Sequence, residues 1–249
     1  WKVYQQAFGA TEEQMGHVSF KAYSNANKNP RAHMVKRQVT LEWAQHAGDT
    51  NPRFLRNEEY HDYLKVSDCS QVSDGGSGMV LATEDGLRKL GKSPSDCVEV
   101  IGWGLSSSPL AGVSDFTALG NTAIAADEAF QSASVSRGDV GVVEVHDCFA
   151  VTEWLMLEAL GFAKPGEAPA LTVSGKTNID GSLPVNTGGG LIGFGHPVGA
   201  TGIKQMVEVF RQMKGRCGDY QVPNAPSFGV TANMGGDDRT SVVAVFKNV

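Results

Sequence analysis

Val140-Gly141-Val142-Val143-Glu144-Val145-His146-Asp147-Cys148-Phe149 is the stretch that decides the fold. Its first six residues are rich in β-branched side chains and predict a strand over 140–145. The strand hands over to a helix that extends through Leu160 and stops at Gly161. A strand followed at once by a helix is the unit of an α/β protein, and similar units lie on both sides. Upstream, Met79-Val80-Leu81-Ala82 follows Asp74-Gly75-Gly76 and predicts a buried strand. Thr83 can cap a helix ending near Gly91, with Glu84 and Asp85 in its first turn. Val98 to Trp103 predicts another strand, and residues 117–134 a helix. Downstream, Ile203, Met206, Val207, Phe210 and Met213 recur at the spacing of an amphipathic helix from Thr201 to Lys214. Phe228 to Ala232 and Ser241 to Phe246 close the chain as strands, with Gly235-Gly236-Asp237-Asp238 as the turn between them. Residues 1–75 are polar and broken at Asn29-Pro30 and Asn51-Pro52. They predict short helices joined by loops, such as Gln38 to His46 and Glu58 to Val66.

Composition bounds the function. The 249 residues suffice for one large domain or two modest ones. A hydrophobic share of 41% with 19% charged residues suits a globular chain and excludes a disordered tail. The net charge of −6 argues against a broad electrostatic nucleic-acid binder. The charge is uneven, since residues 1–60 hold eight Lys or Arg against six acids. Four cysteines without a C-x-x-C pair read as reduced thiols of an intracellular protein. No compartment among peroxisome, mitochondrion and cytoplasm is singled out, and Lys247-Asn248-Val249 is not a peroxisomal address. No apolar run reaches the roughly 18 residues that span a membrane, and no signal peptide opens the chain. A start at Trp1, without Met, suggests a piece of something longer.

Chemistry concentrates in two places. His146 and Cys148 sit where the strand ends, which in open sheets is where ligands bind. A thiol at a helix N-terminus is expected to favour its thiolate. The other reading is a buried structural Cys beside a hydrogen-bonded His. Glycine numbers 30, against about 7% in an average protein, and eight of these fall between 181 and 202. His196 lies among them, with Gly195 before it and Pro197 after it, as a candidate general base. Gly188-x-Gly190-x-x-Gly193 fits the dinucleotide pattern, but no apolar strand precedes it. Asn233-Met234-Gly235-Gly236 follows a strand and could offer amides to an oxyanion, or be a plain hairpin turn. Sequence neighbours such as His146, Asp147 and Cys148 rarely close one coordination sphere, so no metal is expected.

These residues resemble the thiolase superfamily. The resemblance rests on Glu144-Val-His-Asp-Cys-Phe149, on Gly188 to Gly202 with its Gly-His-Pro, on Asn233-Met-Gly235, and on Asp68-Cys-Ser-Gln-Val-Ser-Asp74-Gly75-Gly76. It covers essentially the whole chain and is strongest from Asp68 onward. His-Asp-Cys-Phe is similar to the sterol-carrier-protein type and its archaeal relatives. The resemblance implies an α/β, thiolase-like layered fold: a mixed five-stranded sheet covered by helices, preceded by a partly helical loop domain. It implies part of a loop domain over 1–70, the last strand and helix of an N-terminal thiolase domain over 71–95, and a C-terminal thiolase domain over 96–249.

The activity implied is thiolysis of a 3-oxoacyl-CoA or the reverse Claisen condensation, an acyltransferase reaction. His196 matches the histidine that activates the nucleophilic cysteine and helps form the first oxyanion hole. His146 takes the place of the Asn completing that hole, Cys148 matches the acid/base cysteine, and Gly235 the glycine whose N–H lines the second hole. Asn233 stands where common thiolases have cysteine. No tightly bound cofactor is implied; coenzyme A enters as a substrate, and acyl-CoA is the partner molecule. Gly195 belongs to the ligand loop, and Lys28, Arg31, Lys36 and Arg37 are candidates for the CoA phosphates. A homodimer of the full-length protein is implied, with a pairing surface expected largely outside this chain. None of the four cysteines occupies the nucleophile's place, so the resemblance implies that the nucleophile-bearing half is missing and that these residues alone are inactive. The alternatives are a non-catalytic acyl-CoA-binding protein, or an acyl hydrolase using Cys148 and His196.

Overall fold

The computed structural model describes residues 1–112 and 115–249. Helices α1 (Lys2–Phe8), α2 (Glu12–Lys28) and α3 (Leu41–Gln45) come first, then two 3-10 turns and α4 (Glu84–Lys89). β1 (Val98–Ser107), α5 (Gly120–Ala133) and β2 (Val140–Val145) follow. Helices α6 (Ala150–Ala159), α7 (Ala168–Val173), α8 (Gly190–Phe194) and α9 (Thr201–Met213) lead to the closing hairpin, β3 (Phe228–Gly235) and β4 (Thr240–Asn248). No helix among the described residues is long and apolar enough to cross a membrane.

The strands form one mixed sheet in the order β1-β4-β3-β2. β4 pairs antiparallel with both neighbours, while β3 and β2 are parallel. Side chains alternate along each strand, so the sheet builds a core on each face. Val243 and Val245 of β4 join the cluster with Ala125, Ala129 and Phe130 of α5. Ala244 and Phe246 between them join Val209 and Met213 of α9. α5 lies so close to β1 that a Cβ on Gly102 or Gly104 would collide with the carbonyls of Ala129 and Ala125. The larger cluster also takes in Tyr4, Met15, Val18 and Ala22, so the first two helices share a core with Trp154 and Leu157 of α6.

Four expectations are corrected. The sheet has four strands among the described residues, not five. Beyond β2 the chain offers only a bridge between Val185 and Val143. Pro184 has no N–H to donate and Asn186 turns to φ 52, so the ladder cannot continue. Met79 to Ala82 forms no strand, because no neighbouring strand offers it hydrogen bonds. Val80 is instead 83% exposed, and the segment lines an open cavity with Met206, Val207 and Phe210. The helix after it does form, capped by Thr83 through the Gly86 amide. Residues 12–28, read as part of a polar region of short helices, make one 17-residue helix. Thr11 and Gln14 close a capping box at its start, and its Ser19, Lys21 and Asn25 are buried on partners. Finally, the inward side of α9 carries Thr201, Lys204, Gln205, Glu208 and Gln212 beside Val209 and the expected Met213, while Ile203, Met206, Val207 and Phe210 are only half-buried.

α5 has no cap of its own. Asp238, from the β3–β4 turn, supplies it, accepting from the amides of Asn121 at 2.8 Å and Thr122 at 3.0 Å and from the hydroxyls of Thr122 and Ser241 at 2.6 Å each. Asp238→Ala would strand buried donors at a helix start and is expected to cost about 2–3 kcal/mol. Urea unfolding with an unchanged slope would register it. A loss below about 0.5 kcal/mol would show that Asp238 is not the cap.

Candidate active site

β2 stops at Val145 because His146, Asp147 and Cys148 leave the sheet to reach the N-cap Phe149 of α6. A second loop leaves α8 at Gly195, whose φ of 122 suits glycine, and presents His196 before α9. Residues 69–72 run between the two loops. Cys69 bridges Phe149, Val72 bridges His196, the Ser70 amide donates to Cys148 O at 2.9 Å, and the His196 amide donates to Gln71 O at 3.1 Å.

The structure thus brings His146 and His196 together, with Cys148 on the same loop as His146 and joined to the His196 loop through residues 69–72. The two imidazoles meet edge to face, centroids 5.0 Å apart and planes at 89°. Each is only 8% exposed. Burial, with the His196 ring beside it, pushes the His146 pKa down to about 4, and burial also lowers that of His196. Both rings are therefore neutral near pH 7. Thr201 Oγ1 lies 2.7 Å from His196 Nδ1 and donates to Pro197 O at 3.1 Å. Having spent its only proton, the hydroxyl accepts from His196 Nδ1–H, which leaves Nε2 with a free lone pair. On His146, Asn233 Nδ2 lies 3.0 Å from Nδ1.

The thiol departs from expectation. Burial pushes Cys148 up to about 11, against the dipole of α6. Its neighbour is Thr152 Oγ1 at 3.8 Å, and the Asp147 and Asp237 charges add to the upward push. Loss of water outweighs a helix-end effect of well under 2 kcal/mol. Thr152 also lines an open cavity of about 710 Å³ with Leu119, Ile124, Leu155, Met234 and Asp237. Gly235 ends β3 opposite Thr240, and no atom lies within 4 Å of where its Cβ would stand, so a substrate can approach it.

Beneath the histidines the site is ionic. Lys204 lies 3.4 Å from Glu144 and over the Phe194 ring at 4.4 Å. Burial opposes the Lys204 charge, but Glu144, Glu208 and Asp147 outweigh it and raise its pKa. Burial raises Glu144 and lifts Asp147 well above the usual carboxylate range.

The four cations are exposed and divided between two surroundings. Lys28 and Arg31 join Arg211 and Arg216 around an open cavity of about 570 Å³ beside Tyr220. Arg37 sits over the Trp43 ring at 5.3 Å, and Lys36 is exposed on the same surface stretch. Sequence reading missed Thr152, Thr201 and Gln205. The signal was present in α9, where polar residues recur at spacings of three and four just after the glycine-rich loop.

Residues 102–248 match the family model described as thiolase C-terminal domain-like. An acetyl-CoA acetyltransferase of Methanothermobacter thermautotrophicus is 37% identical over 96% of this chain and 59% of its own length. Sterol carrier protein 2 of Gallus gallus is 29% identical over 90% of this chain and 40% of its own. The solved Ltp2-ChsH2(DUF35) aldolase shares the fold, with a TM-score of 0.80 at 23% identity over 99% of this chain and 61% of that one. The chain spans between 40% and 61% of the length of each of these relatives. A sheet flanked by α5 and α9, with two histidines meeting at the strand ends, and a family match across most of that sheet, have one consequence: this chain belongs to the thiolase superfamily.

Proposed function

We propose that these residues form the C-terminal part of an acyl-CoA thiolase site, for 3-oxoacyl-CoA thiolysis or the reverse condensation. The observation that supports this reading best is the meeting of His146 and His196 at the strand ends, with Cys148 two residues on in the loop that carries His146. His196 Nε2, unprotonated, takes the proton of a nucleophilic thiol. The thiolate attacks the 3-keto carbon, and the bond between the α-carbon and that carbon breaks. The electron pair leaves on the α-carbon of the departing acetyl-CoA, and the Cys148 thiol donates a proton to it. A thiol held protonated by burial is in the form that step needs. His146 and the His196 N–H formed on proton transfer hold the thioester oxygen, and the Gly235 amide faces the second oxyanion. A free CoA thiol then takes up the acyl group from the enzyme. The cavity beside Thr152 and Met234 would take the acyl chain.

The nucleophile itself is not among these cysteines. Cys69 is buried, donates to Lys65 O and is pushed up to about 12, and Cys217 is buried and likewise held near 12. Cys97 stands at the start of β1, away from the strand ends. We read 1–70 as loop-domain residues, with the cations of 28–37 toward the CoA phosphates. A Cys148/His196 hydrolase is disfavoured, since the Cys148 thiol turns to Thr152 and is far from forming a thiolate.

Two measurements test this. The 249 residues alone are expected not to cleave acetoacetyl-CoA and to trap no acyl group on Cys148 by mass spectrometry. A chimera carrying the upstream region of the archaeal acetyltransferase should cleave it with CoA, and His196→Ala or Cys148→Ala should lower kcat by about 10²–10⁴. Acyl trapping on Cys148, or normal thiolysis by the chain alone, would overturn the reading. Separately, iodoacetamide labelling of Cys148 should climb about tenfold per pH unit from pH 8 to 10, following thiolate formed only near pH 11. Labelling that levels off near pH 8 would show an activated thiolate instead.

A further inference from the structure

A chain of amides runs from the sheet to His146. Gln205 of α9 is fully buried, and its Nε2 lies 3.3 Å from Ala232 O. A carbonyl only accepts, so the Gln205 amide must turn its NH₂ to Ala232 and its Oε1 toward Asn233. Oε1 in turn only accepts, and it lies 3.1 Å from Asn233 Nδ2. The Asn233 NH₂ is thereby fixed, and its second hydrogen points at His146 Nδ1, 3.0 Å away. Reversing Asn233 would set its carbonyl against Gln205 Oε1, and reversing both would set Gln205 Oε1 against Ala232 O.

We propose that Gln205 is a positioning residue which, through Asn233, holds His146 in the tautomer with its proton on Nε2. This rests on the acyl-CoA reading above, in which His146 must donate to a thioester oxygen. A ring accepting at Nδ1 has only Nε2–H to offer, so the relay turns an ambivalent imidazole into a dedicated donor. It also gives Asn233 a task at a position where the resemblance would place cysteine.

The tautomer can be read directly by long-range proton–nitrogen NMR on the protein with ¹⁵N-labelled imidazoles near pH 7, His146 being assigned by His146→Gln. The wild type is expected to show Nε2 protonated and Nδ1 bare. In Gln205→Met, Asn233 is free to turn, and the His146 Nδ1 resonance should move toward that of free histidine. In Asn233→Asp, the carboxylate accepts from Nδ1–H and the ring should switch tautomer outright. A wild-type ring protonated on Nδ1 overturns the proposal, even if neither variant folds. A folded Gln205→Met with an unmoved Nδ1 resonance overturns the role of Gln205, whatever Asn233→Asp does. The readout needs no turnover. The expected shifts with an inactive chimera would leave the relay standing and sink the thiolase reading, and unmoved shifts with an active chimera would do the reverse.

Discussion

The hydrogen bond from the Leu191 amide to Asp147 Oδ1, 2.7 Å long, ties together the two loops that carry the histidines. Asp147 lies between His146 and Cys148, and Leu191 lies at the start of the short helix that delivers His196. The close approach is possible only because Gly190, at φ 61, has no side chain: a Cβ there would strike the Asp147 carboxyl. Gly190 therefore has a specific cause, which is room for a buried carboxyl, while Gly193 and Gly189 in the same cluster make room for the Ala22 carbonyl and for Ala26 of α2. Losing that acceptor would leave a buried amide unpaired, at about 1–3 kcal/mol, and free two loops whose side chains must meet to within one ring contact.

The same logic of buried polar pairing runs through the helices around the site. Lys21 of α2 reaches Glu153 of α6 at 2.6 Å, with both side chains almost sealed from solvent. Asn186 ties the Val145 amide at 2.9 Å and accepts from Asn25 at 3.1 Å. Such pairs return little net stability, because desolvation cancels much of the attraction, yet leaving one member alone is costly. They act as fasteners of register: α2, α6 and α9 can each sit in one place without stranding a charge.

This inversion of polarity explains what the sequence made visible and what it hid. β2, the closing hairpin and the two histidine loops were legible, because β-branched runs and glycine punctuation depend on local backbone preference. The inward face of α9 was legible only in part: Met213 is buried as its spacing suggests, but Met206 and Phe210 are half-exposed, and the first two turns bury Thr201, Lys204, Gln205 and Glu208 instead. α2 was hidden likewise, because its polar residues are satisfied by partners more than a hundred positions away, such as Glu153 and Asn186. The segment 79–82 was apolar enough to read as a strand, but a strand is a relation to neighbours that no single segment contains. The Pro184–Asn186 edge shows the converse, an extended segment that makes one bridge to Val143 through two backbone hydrogen bonds and whose own residues forbid the ladder to go further.

Two imidazoles in contact at 5.0 Å in a nearly dry site cannot both carry charge, and burial keeps both neutral. Neutrality alone would leave each ring free to choose which nitrogen holds the proton. The surroundings choose differently for the two. Thr201, committed to Pro197 O, takes the proton of His196 on Nδ1 and bares Nε2. The amide pair of Gln205 and Asn233 fills Nδ1 of His146 and confines its proton to Nε2. The proposed chemistry needs this asymmetry, one ring to accept a thiol proton and the other to donate to the oxygen where charge collects. α9 supplies both determinants, Thr201 and Gln205, four residues apart and so on one face of one turn. A single helix turn would then set base and donor together, which is why the inward side of that first turn is polar while Val209 and Met213 further along pack in the core.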